Sequence, residues 1–177
     1  MNAALTLKAA HFASEKHKNQ RRKDVDASPY INHPLALASV LAVDGGIEQT
    51  EVLCAALLHD TIEDTDTTAD ELAGIFGAKV ASVVLEVTNN PNLPKAEQKA
   101  DQARRAPLMS TEAKLVKLAD KICNLRDILN TPTTEWSADR KRDYFDSAAK
   151  VVAGLRGVHP KLEAVFDEVY AQRSVFA

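Results

Sequence analysis

The sequence predicts an all-α protein with a single domain, and three observations support this prediction. Apolar residues recur three and four positions apart through almost the whole chain, which is the spacing of one face of a helix. No segment shows a sustained alternation of apolar and polar residues or a hairpin dipeptide between two strand-like runs. The length of 177 residues, with 45% hydrophobic residues, suits one domain with a substantial core. We therefore expect residues 1–177 to form one compact helical domain.

Charge and hydropathy argue against several classes of protein. The net charge of −3 is unlike that of a generic nucleic-acid binder, which is usually basic. No apolar run approaches the roughly 20 residues of a membrane span, and the N-terminus lacks the order of a signal peptide. Cys54 and Cys123 both lie in apolar helical patterns, which predicts buried, reduced thiols. We expect a cytoplasmic protein with neither nucleic-acid nor membrane partners, and the sequence does not indicate an oligomeric state.

The first predicted element is a helix over residues 3–18, and a polar loop follows it. The apolar stripe of this helix consists of Leu5, Ala9, Phe12 and Ala13. The stretch "RRKDVDASPYINHP" (21–34) is rich in turn formers and is predicted to be a loop. Because proline suits the first turn of a helix, Pro34 places His33 at or just before a helix start, in an extended conformation.

Two further helices lead to an acidic turn. The helix that starts at Pro34 is expected to end near Gly45 and Gly46. The next helix, over about 48–60, is apolar on most sides and should lie at the centre of the domain. After the acidic turn, Thr68 and Glu71 have the spacing of a capping box, and Gly77 is a plausible end for that helix.

The second half of the chain predicts five more helices. The first, over 78–88, contains valines at helical spacing, and a loop at 89–95 separates it from a charged helix over 96–105. Ser110 is placed to cap a long helix, "TEAKLVKLADKICNLRDIL". After a break at "NTPTTEW", the apolar stripes of two closing helices consist of Tyr144, Phe145, Ala148 and Val152, then Leu162, Val165, Phe166 and Val169.

Four polar residues lie where helices should be buried. His59 and Asp60 end the most apolar helix, Asp120 lies within the long helix, and His33 precedes the helix at Pro34. Each alone is more often a structural residue, but two imidazoles and two carboxylates would converge only if a cation offset the cost of burying them. The mixed nitrogen and oxygen donors suit Mn²⁺, Fe²⁺ or Zn²⁺, and the absence of thiolates argues against a structural zinc site.

Two further carboxylates follow this set. Glu63 and Asp64 would lie one turn beyond His59 and Asp60 if the helix continued, and so near the metal without being required as ligands. Carboxylates in that position can accept a proton from water or donate one to a leaving group. Asp66 is interpreted as a solvated residue before the next helix.

A basic run close to His33 suggests the substrate. Such a run is usually a solvated face, but its position beside a metal ligand favours an anion, and arginine can also stack on a nucleobase. The run comprises Lys18, Arg21, Arg22 and Lys23.

Side chains on later helices are predicted to face the same cavity. Asn124 lies one turn beyond Asp120, and Lys117 lies a turn before it, where it could pair with the acidic cluster or with a phosphate. Tyr144 is either a core tyrosine or a cavity residue. The residues thus indicate a metal-dependent hydrolase acting on a phosphate ester, most plainly that of a nucleotide.

The pattern H…HD…D resembles the signature of the HD superfamily of metal-dependent phosphohydrolases. Longer strings are similar to the hydrolase domain of RelA/SpoT proteins, and most of all to the stand-alone small alarmone hydrolases of the SpoT-homologue type. These strings are "RRKD", "PYINHP", "AALLHDTIEDTDTT", "FGAKV", "EVT", "LPK", "AKLVKLADKICNLRD" and "YF". The resemblance extends from about residue 5 to about residue 170.

The resemblance implies a helical HD fold and removal of the 3′-pyrophosphate from guanosine tetra- or pentaphosphate. It implies one Mn²⁺ held by His33, His59, Asp60 and Asp120. By the same resemblance, Glu63 and Asp64 are the catalytic acidic pair, and the residues that bind substrate are Arg22, Lys23, Lys95, Asn124 and Tyr144.

Two alternatives remain open. Stand-alone relatives of this kind are also associated with removal of the 2′-phosphate from NADPH, which the same metal site could serve. The other alternative is a nucleotide-binding module without turnover, but degenerate HD domains usually lose a ligand or an acid, and this chain keeps all six. Among its small departures from the family pattern, Ile62 stands where valine is expected, and Asn89-Asn90 where an acidic pair would be unsurprising.

Overall fold

The computed structural model describes residues 2–24, 26–130 and 136–176, and these residues form an all-α structure. In these three ranges extended pairing is limited to one isolated bridge, between Arg21 and Pro29. The predicted fold class is therefore confirmed. The helices are α1 (Ala3–Lys16), α2 (Asn32–Ser39), α3 (Thr50–Leu58), α4 (Thr61–Asp64), α5 (Ala69–Phe76), α6 (Ala78–Val87), α7 (Lys95–Arg105), α8 (Thr111–Asn130), α9 (Ala138–Ala153) and α10 (Pro160–Ala171).

Helix α2 begins earlier than the sequence predicted. The amide of Asn32 donates to the carbonyl of Pro29 (3.1 Å) and that of His33 donates to Tyr30 (3.0 Å), so a turn forms before Pro34 is reached. His33 therefore lies within the first turn of α2, and its predicted extended conformation is wrong. A π-helical turn, Val40–Asp44, continues α2 towards the glycine pair predicted to end it.

The acidic segment forms a turn and a short helix after α3. Residues 52–59 are all buried, as expected of a central helix. His59 and Asp60 form the turn between α3 and α4, and the amide of Asp64 donates to the carbonyl of Asp60 (2.9 Å). The backbone therefore stays close to helical from α3 into α4. This places Glu63 and Asp64 about one turn beyond His59 and Asp60.

Several predicted helix ends are confirmed by their hydrogen bonds. The hydroxyl of Thr68 accepts from the amide of Glu71 (3.1 Å), which caps α5. Gly77 ends α5 with a φ of 93°, a conformation that favours glycine. The hydroxyl of Ser110 accepts from the amide of Ala113 (3.2 Å) at the start of α8. Most of the predicted break at "NTPTTEW" falls on residues 131–135, outside the described residues.

Helices α3 and α8 form the centre of the core and position the candidate site. Helix α3 packs against α1, α2, α6 and α8, while α8 also packs against α2, α6, α9 and α10. Fully buried aliphatic side chains, among them Leu58 and Leu118, hold these two helices in place. The C-terminal end of α3 carries His59, and the middle of α8 carries Asp120, so packing of the core brings the two segments together.

Two further features of the fold are the state of the cysteines and the polarity of the helices. Both cysteines are free and buried, as predicted, and burial raises the pKa of Cys123 to about 12, which makes this thiol unreactive at neutral pH. Within the described ranges, every helix is too short or too polar to cross a bilayer.

Candidate functional site

Three of the four predicted metal ligands form a compact cluster. One potential ligand atom each from His33, His59 and Asp60 lies within 4.8 Å of the other two. The two imidazole rings are 5.2 Å apart between centroids, and Nε2 of His59 is 2.8 Å from Oδ2 of Asp60. Helix α2 supplies the first histidine, and the turn after α3 supplies the other two residues.

Asp120 lies beside this cluster but outside its compact group. Its Oδ1 is 3.3 Å from Nε2 of His33 and accepts a hydrogen bond from Nδ2 of Asn124 at 2.6 Å. Its Oδ2 is 3.3 Å from the ammonium of Lys121. Three separate segments of the chain therefore meet around the two histidines.

The carboxylates of this site are ionised at neutral pH. Burial alone would raise the pKa of Asp60, but the adjacent His59 outweighs burial and holds that pKa well below its usual range. Burial likewise opposes ionisation of Asp120, and Lys121 and His33 together keep the pKa of this carboxyl well below its usual range. Both oxygen donors thus carry the negative charge that a divalent ion favours.

Each histidine has its Nε2 beside a carboxylate of the site. Nδ1 of His59 lies 2.8 Å from the carbonyl of Ala56, which assigns a proton to Nδ1 and turns Nε2 towards Asp60. Burial opposes protonation of His59, but the adjacent Asp60 outweighs it and raises the pKa of this imidazole, so a metal ion at Nε2 would displace a proton. Nε2 of His33 lies 3.3 Å from Oδ1 of Asp120. Two imidazole nitrogens beside ionised carboxylates fit a divalent metal ion.

Tyr30 also contacts the cluster. Its hydroxyl donates a short hydrogen bond to Oδ2 of Asp60. Burial, together with the negative charge of Asp60, raises the pKa of Tyr30 far above its usual range, so the phenol remains a donor. Its ring packs against His17 and His33, at centroid distances of 4.8 and 6.1 Å. The tyrosine therefore orients an oxygen donor of the site.

The two acidic residues beyond the cluster are exposed and are each held by a carboxamide residue. Oε1 of Glu63 accepts from Nδ2 of Asn89 at 2.9 Å, and its Oε2 accepts from the backbone amide of the same residue at 3.1 Å. Oδ2 of Asp64 accepts from Nε2 of Gln20 at 2.8 Å. Asp66, by contrast, is 87% exposed and pairs with Lys16 at 2.9 Å, away from the histidines.

A cavity of about 530 Å³ extends from His33 over the loop that contains Arg21, Arg22 and Lys23, here called the basic loop. The guanidinium of Arg22 lies 5.7 Å from the ring centroid of Tyr30 and makes a short ion pair with Asp127. The cavity also contains four of the five residues predicted to bind substrate, and its lining includes Arg22, Lys23, Asn124, Asp127, Trp136, Lys141 and Tyr144.

The fifth predicted residue, Lys95, lies elsewhere. It lines a second cavity, of about 860 Å³, which it shares with Glu63 and Asp64. Lys117, which could have paired with an acid or a phosphate, instead donates to the carbonyl of Val87 at 2.9 Å. This bond ties α8 to the last residue of α6. Burial and the neighbouring Lys121 lower the pKa of Lys117.

Comparison with known proteins assigns the chain to a family. Residues 9–159 match the family model described as HD domain. The chain belongs to the HD domain family. An HD hydrolase implies a divalent metal, and His33, His59 and Asp60 form a possible site for it.

Relatives of this HD-domain protein share nearly its full length. Guanosine-3′,5′-bis(diphosphate) 3′-pyrophosphohydrolase MESH1 of Danio rerio is 49% identical over 174 residues, which is 98% of this chain and 97% of that protein. The MESH1 protein of Homo sapiens is 50% identical over 173 residues, with the same coverage. The pyrophosphohydrolase of Aquifex aeolicus is 40% identical over 68% of this chain, but the match covers only 17% of that protein.

Two solved structures are similar to this chain over most of its length. A structure described as a metazoan ortholog of SpoT that hydrolyzes ppGpp superposes with a TM-score of 0.94 at 41% identity, covering 99% of this chain and 98% of the other. The protein lmo0812 of Listeria monocytogenes superposes less closely, with a TM-score of 0.66 at 29% identity over 82% of this chain and 96% of the other.

Sequence reasoning missed several residues of this HD-domain site. Tyr30 and Gln20 lie in or beside a polar loop, where no hydrophobic pattern distinguishes a functional side chain from a solvated one. Trp136, the one tryptophan of the chain, follows a break and has no helical periodicity to place it. Lys141 could have been predicted to line the cavity, because it lies three residues before Tyr144 and therefore on the same face of α9.

Proposed function

We propose that this HD-domain protein is a Mn²⁺-dependent hydrolase that removes the 3′-pyrophosphate of guanosine tetra- and pentaphosphate, giving GDP or GTP and pyrophosphate. The observation that carries this proposal is the cluster of His33, His59 and Asp60, with Asp120 beside it and two further carboxylates one turn away. The names of the full-length relatives support the substrate. The residues of the site support the type of reaction, which is metal-assisted hydrolysis of a phosphate ester.

A single divalent ion would be held by the two histidines and the two aspartates. Two imidazole nitrogens and two carboxylate oxygens form a donor set that suits Mn²⁺, Fe²⁺ or Zn²⁺, and the resemblance to the alarmone hydrolases favours Mn²⁺ among these ions. When bound, such an ion lowers the pKa of a coordinated water and neutralises charge on a phosphoryl oxygen. The hydroxyl of Tyr30, bonded to Asp60, would keep that carboxylate turned towards the ion.

The chain's own residues would manage protons and position the substrate. Water adds to the phosphorus attached to the ribose 3′ oxygen, the P–O bond to the ribose breaks, and the 3′ oxygen must gain a proton. Glu63 and Asp64 are the acids placed to take a proton from the water and to return one to the leaving oxygen. Because both are exposed, they can exchange protons with solvent between turnovers.

The first cavity would bind the nucleoside part of the substrate. Arg22 and Lys23 supply positive charge, and Tyr144 supplies an aromatic face beside Trp136, with ring centroids 5.9 Å apart. Asn124 provides amide groups at the end of the cavity nearest the metal cluster. Lys95, which shares the second cavity with the acidic pair, would contact the phosphates from the opposite side.

Product analysis with metal-loaded protein tests the proposed reaction. Incubated with Mn²⁺ and guanosine tetraphosphate, the protein is expected to release GDP and pyrophosphate in equal amounts, with a kcat/KM at least about tenfold above that for NADPH, a difference of roughly 1.4 kcal/mol. Separation of nucleotides by ion exchange, with separate assays for pyrophosphate and phosphate, identifies the bond that is cut. Release of phosphate and NADH from NADPH at the higher kcat/KM would overturn the choice of substrate, and binding of either nucleotide without turnover would indicate the inactive module.

Replacing Arg22 by alanine is expected to raise KM while leaving kcat within about twofold. A charge-assisted hydrogen bond to a phosphate contributes about 1.5–3 kcal/mol, so the rise in KM should be about tenfold or more. Steady-state kinetics on guanosine tetraphosphate measure both constants. Lys18→Ala is the control, because Lys18 belongs to the same basic run but is exposed and lies outside the cavity lining. An unchanged KM in Arg22→Ala would argue against the basic loop as a nucleotide-binding element.

We also propose that residues 1–177 act as one domain and that the protein is cytoplasmic. The continuous set of buried side chains drawn from α1 to α10 supports the first statement. Two buried, reduced cysteines are typical of a reducing compartment and support the second.

A further inference from the structure

We propose that Asn89 and Gln102 are positioning residues that fix the carboxylate of Glu63 relative to the metal ligand Asp120. This inference rests on the proposed hydrolytic function. It assigns a role to two side chains that the sequence did not single out as functional. The basis is a continuous chain of hydrogen bonds that links the end of α6, helix α7 and helix α8.

The first link of this chain holds Glu63 at both oxygens. Asn89 donates from its side-chain Nδ2 to one oxygen and from its backbone amide to the other, at 2.9 and 3.1 Å. An exposed glutamate would otherwise sample several rotamers. With two donors from one residue, its carboxylate is confined to one orientation.

The next links connect Asn89 to the metal ligand. Oδ1 of Asn89 accepts from Nε2 of Gln102 at 2.7 Å, and Oε1 of Gln102 accepts from Nζ of Lys121 at 3.0 Å. The same ammonium lies 3.3 Å from Oδ2 of Asp120. Lys121 is buried, at 7% exposure, so water cannot readily replace these partners.

Lys121 also sets which group donates and which accepts in each hydrogen bond of this series. An ammonium has donors and no acceptor, so it must face the carbonyl oxygen of Gln102. The amide nitrogen of Gln102 then faces the carbonyl oxygen of Asn89, and the amide nitrogen of Asn89 faces Glu63. The last residue in this series of hydrogen bonds, Asn89, therefore presents a donor to Glu63, which matches an ionised carboxylate acting as an acceptor.

A second set of contacts anchors this chain between α6 and α7. The guanidinium of Arg105 donates to the carbonyls of Glu86 and Thr88, at 3.1 and 3.2 Å, and so binds the end of α6 to α7. Its Nε donates to the buried carboxylate of Asp101 at 2.8 Å. Arg105 and Gln102 lie three residues apart on one face of α7, so this face contacts both the backbone just before Asn89 and the side chain of Asn89.

Kinetics of single and double variants test this role. Gln102→Leu and Asn89→Ala are each expected to lower kcat about 10- to 100-fold, with KM and metal content within about twofold, because loss of a supporting hydrogen bond has effects of this size. In a Glu63→Gln background, Gln102→Leu should cause no further loss, since both changes act on the same carboxylate. Asn92→Ala is the matched control, because this exposed asparagine belongs to the same loop but lies outside the lining of the second cavity.

A second variant covers the case in which Gln102→Leu does not fold. Gln102→Glu keeps the size of the side chain and an acceptor for Lys121, but it has no donor for Asn89. It should therefore fold and still lose kcat by about 10- to 100-fold. A wild-type kcat in either folded variant, or an equal further loss in the Glu63→Gln background, would overturn the positioning role.

A measurement on metal-free protein separates this proposal from the proposed reaction. In ¹⁵N-labelled metal-free protein, Glu63→Gln should shift the side-chain amide resonance of Gln102, although only Asn89 joins the two residues. Asp64→Asn should leave that resonance in place, because Asp64 bonds Gln20 instead. If the wild type hydrolysed no guanosine tetraphosphate but the Gln102 resonance still moved, the proposed function would fail and the positioning contact would stand. An unmoved resonance in an active enzyme would overturn the positioning role alone.

Discussion

Asp120→Ala is expected to abolish metal binding and hydrolysis together. The carboxylate is buried, and its pKa is held well below the usual range, so the substitution removes a negatively charged oxygen donor from beside His33. A bound metal contributes several kcal/mol of charge stabilisation in the transition state, so activity should fall by about 1000-fold or more. Metal content by elemental analysis and Mn²⁺ affinity by calorimetry should change in parallel with turnover.

Two companion variants make this prediction specific. Removal of Asp120 also leaves the buried Lys121 with one partner fewer, which could destabilise the fold. Asp60→Ala leaves the contact between Lys121 and Asp120 in place, because Asp60 contacts His59 and Tyr30, and it should give the same loss of metal. Asp66→Ala is the control, since Asp66 belongs to the same acidic segment but pairs with Lys16 at the surface. Full metal content in folded Asp60→Ala and Asp120→Ala would contradict the proposed ligand set.

The predicted helices agree with the structure where local signals decide the backbone. Thr68, Gly77 and Ser110 end or begin helices as predicted, because a capping hydroxyl or a positive φ depends on only a few neighbouring residues. The start of α2 shows the limit of such signals. The residue before a proline usually favours extended backbone. At His33 this preference is outweighed by the turn that forms through hydrogen bonds to the carbonyls of Pro29 and Tyr30.

The candidate metal site was predictable for a different reason. A histidine or aspartate on a face that should be buried conflicts with the hydrophobic pattern, and that conflict is visible in the sequence. Tyr30, Asn89 and Gln102 cause no such conflict, since each lies in or beside a polar stretch. Their contacts connect segments far apart in the chain, so only the packed structure could show them.

Glu63→Gln is expected to leave the metal bound while lowering kcat about 100-fold or more. Glu63 belongs to neither the three-residue cluster nor its contacts with Asp120, so the substitution should not change metal content. A carboxamide cannot exchange a proton near neutral pH, and loss of a positioned acid or base lowers rates by about 10²–10⁴-fold. Metal analysis, together with single-turnover kinetics on guanosine tetraphosphate, separates the two effects.

The hydrogen bonds of Glu63 explain why the substitution is informative. Asn89 donates to both oxygens of the carboxylate, whereas glutamine offers one acceptor and one donor group, so one of the two bonds must be lost or rearranged. Because Glu63 is exposed, water can satisfy the group that is left, and the fold should be unaffected. Glu71→Gln, on a surface glutamate 3.3 Å from Lys16, is the matched control and should retain wild-type kcat. Loss of metal from Glu63→Gln would show that this residue is a ligand, and unchanged turnover would show that proton transfer depends on Asp64 alone.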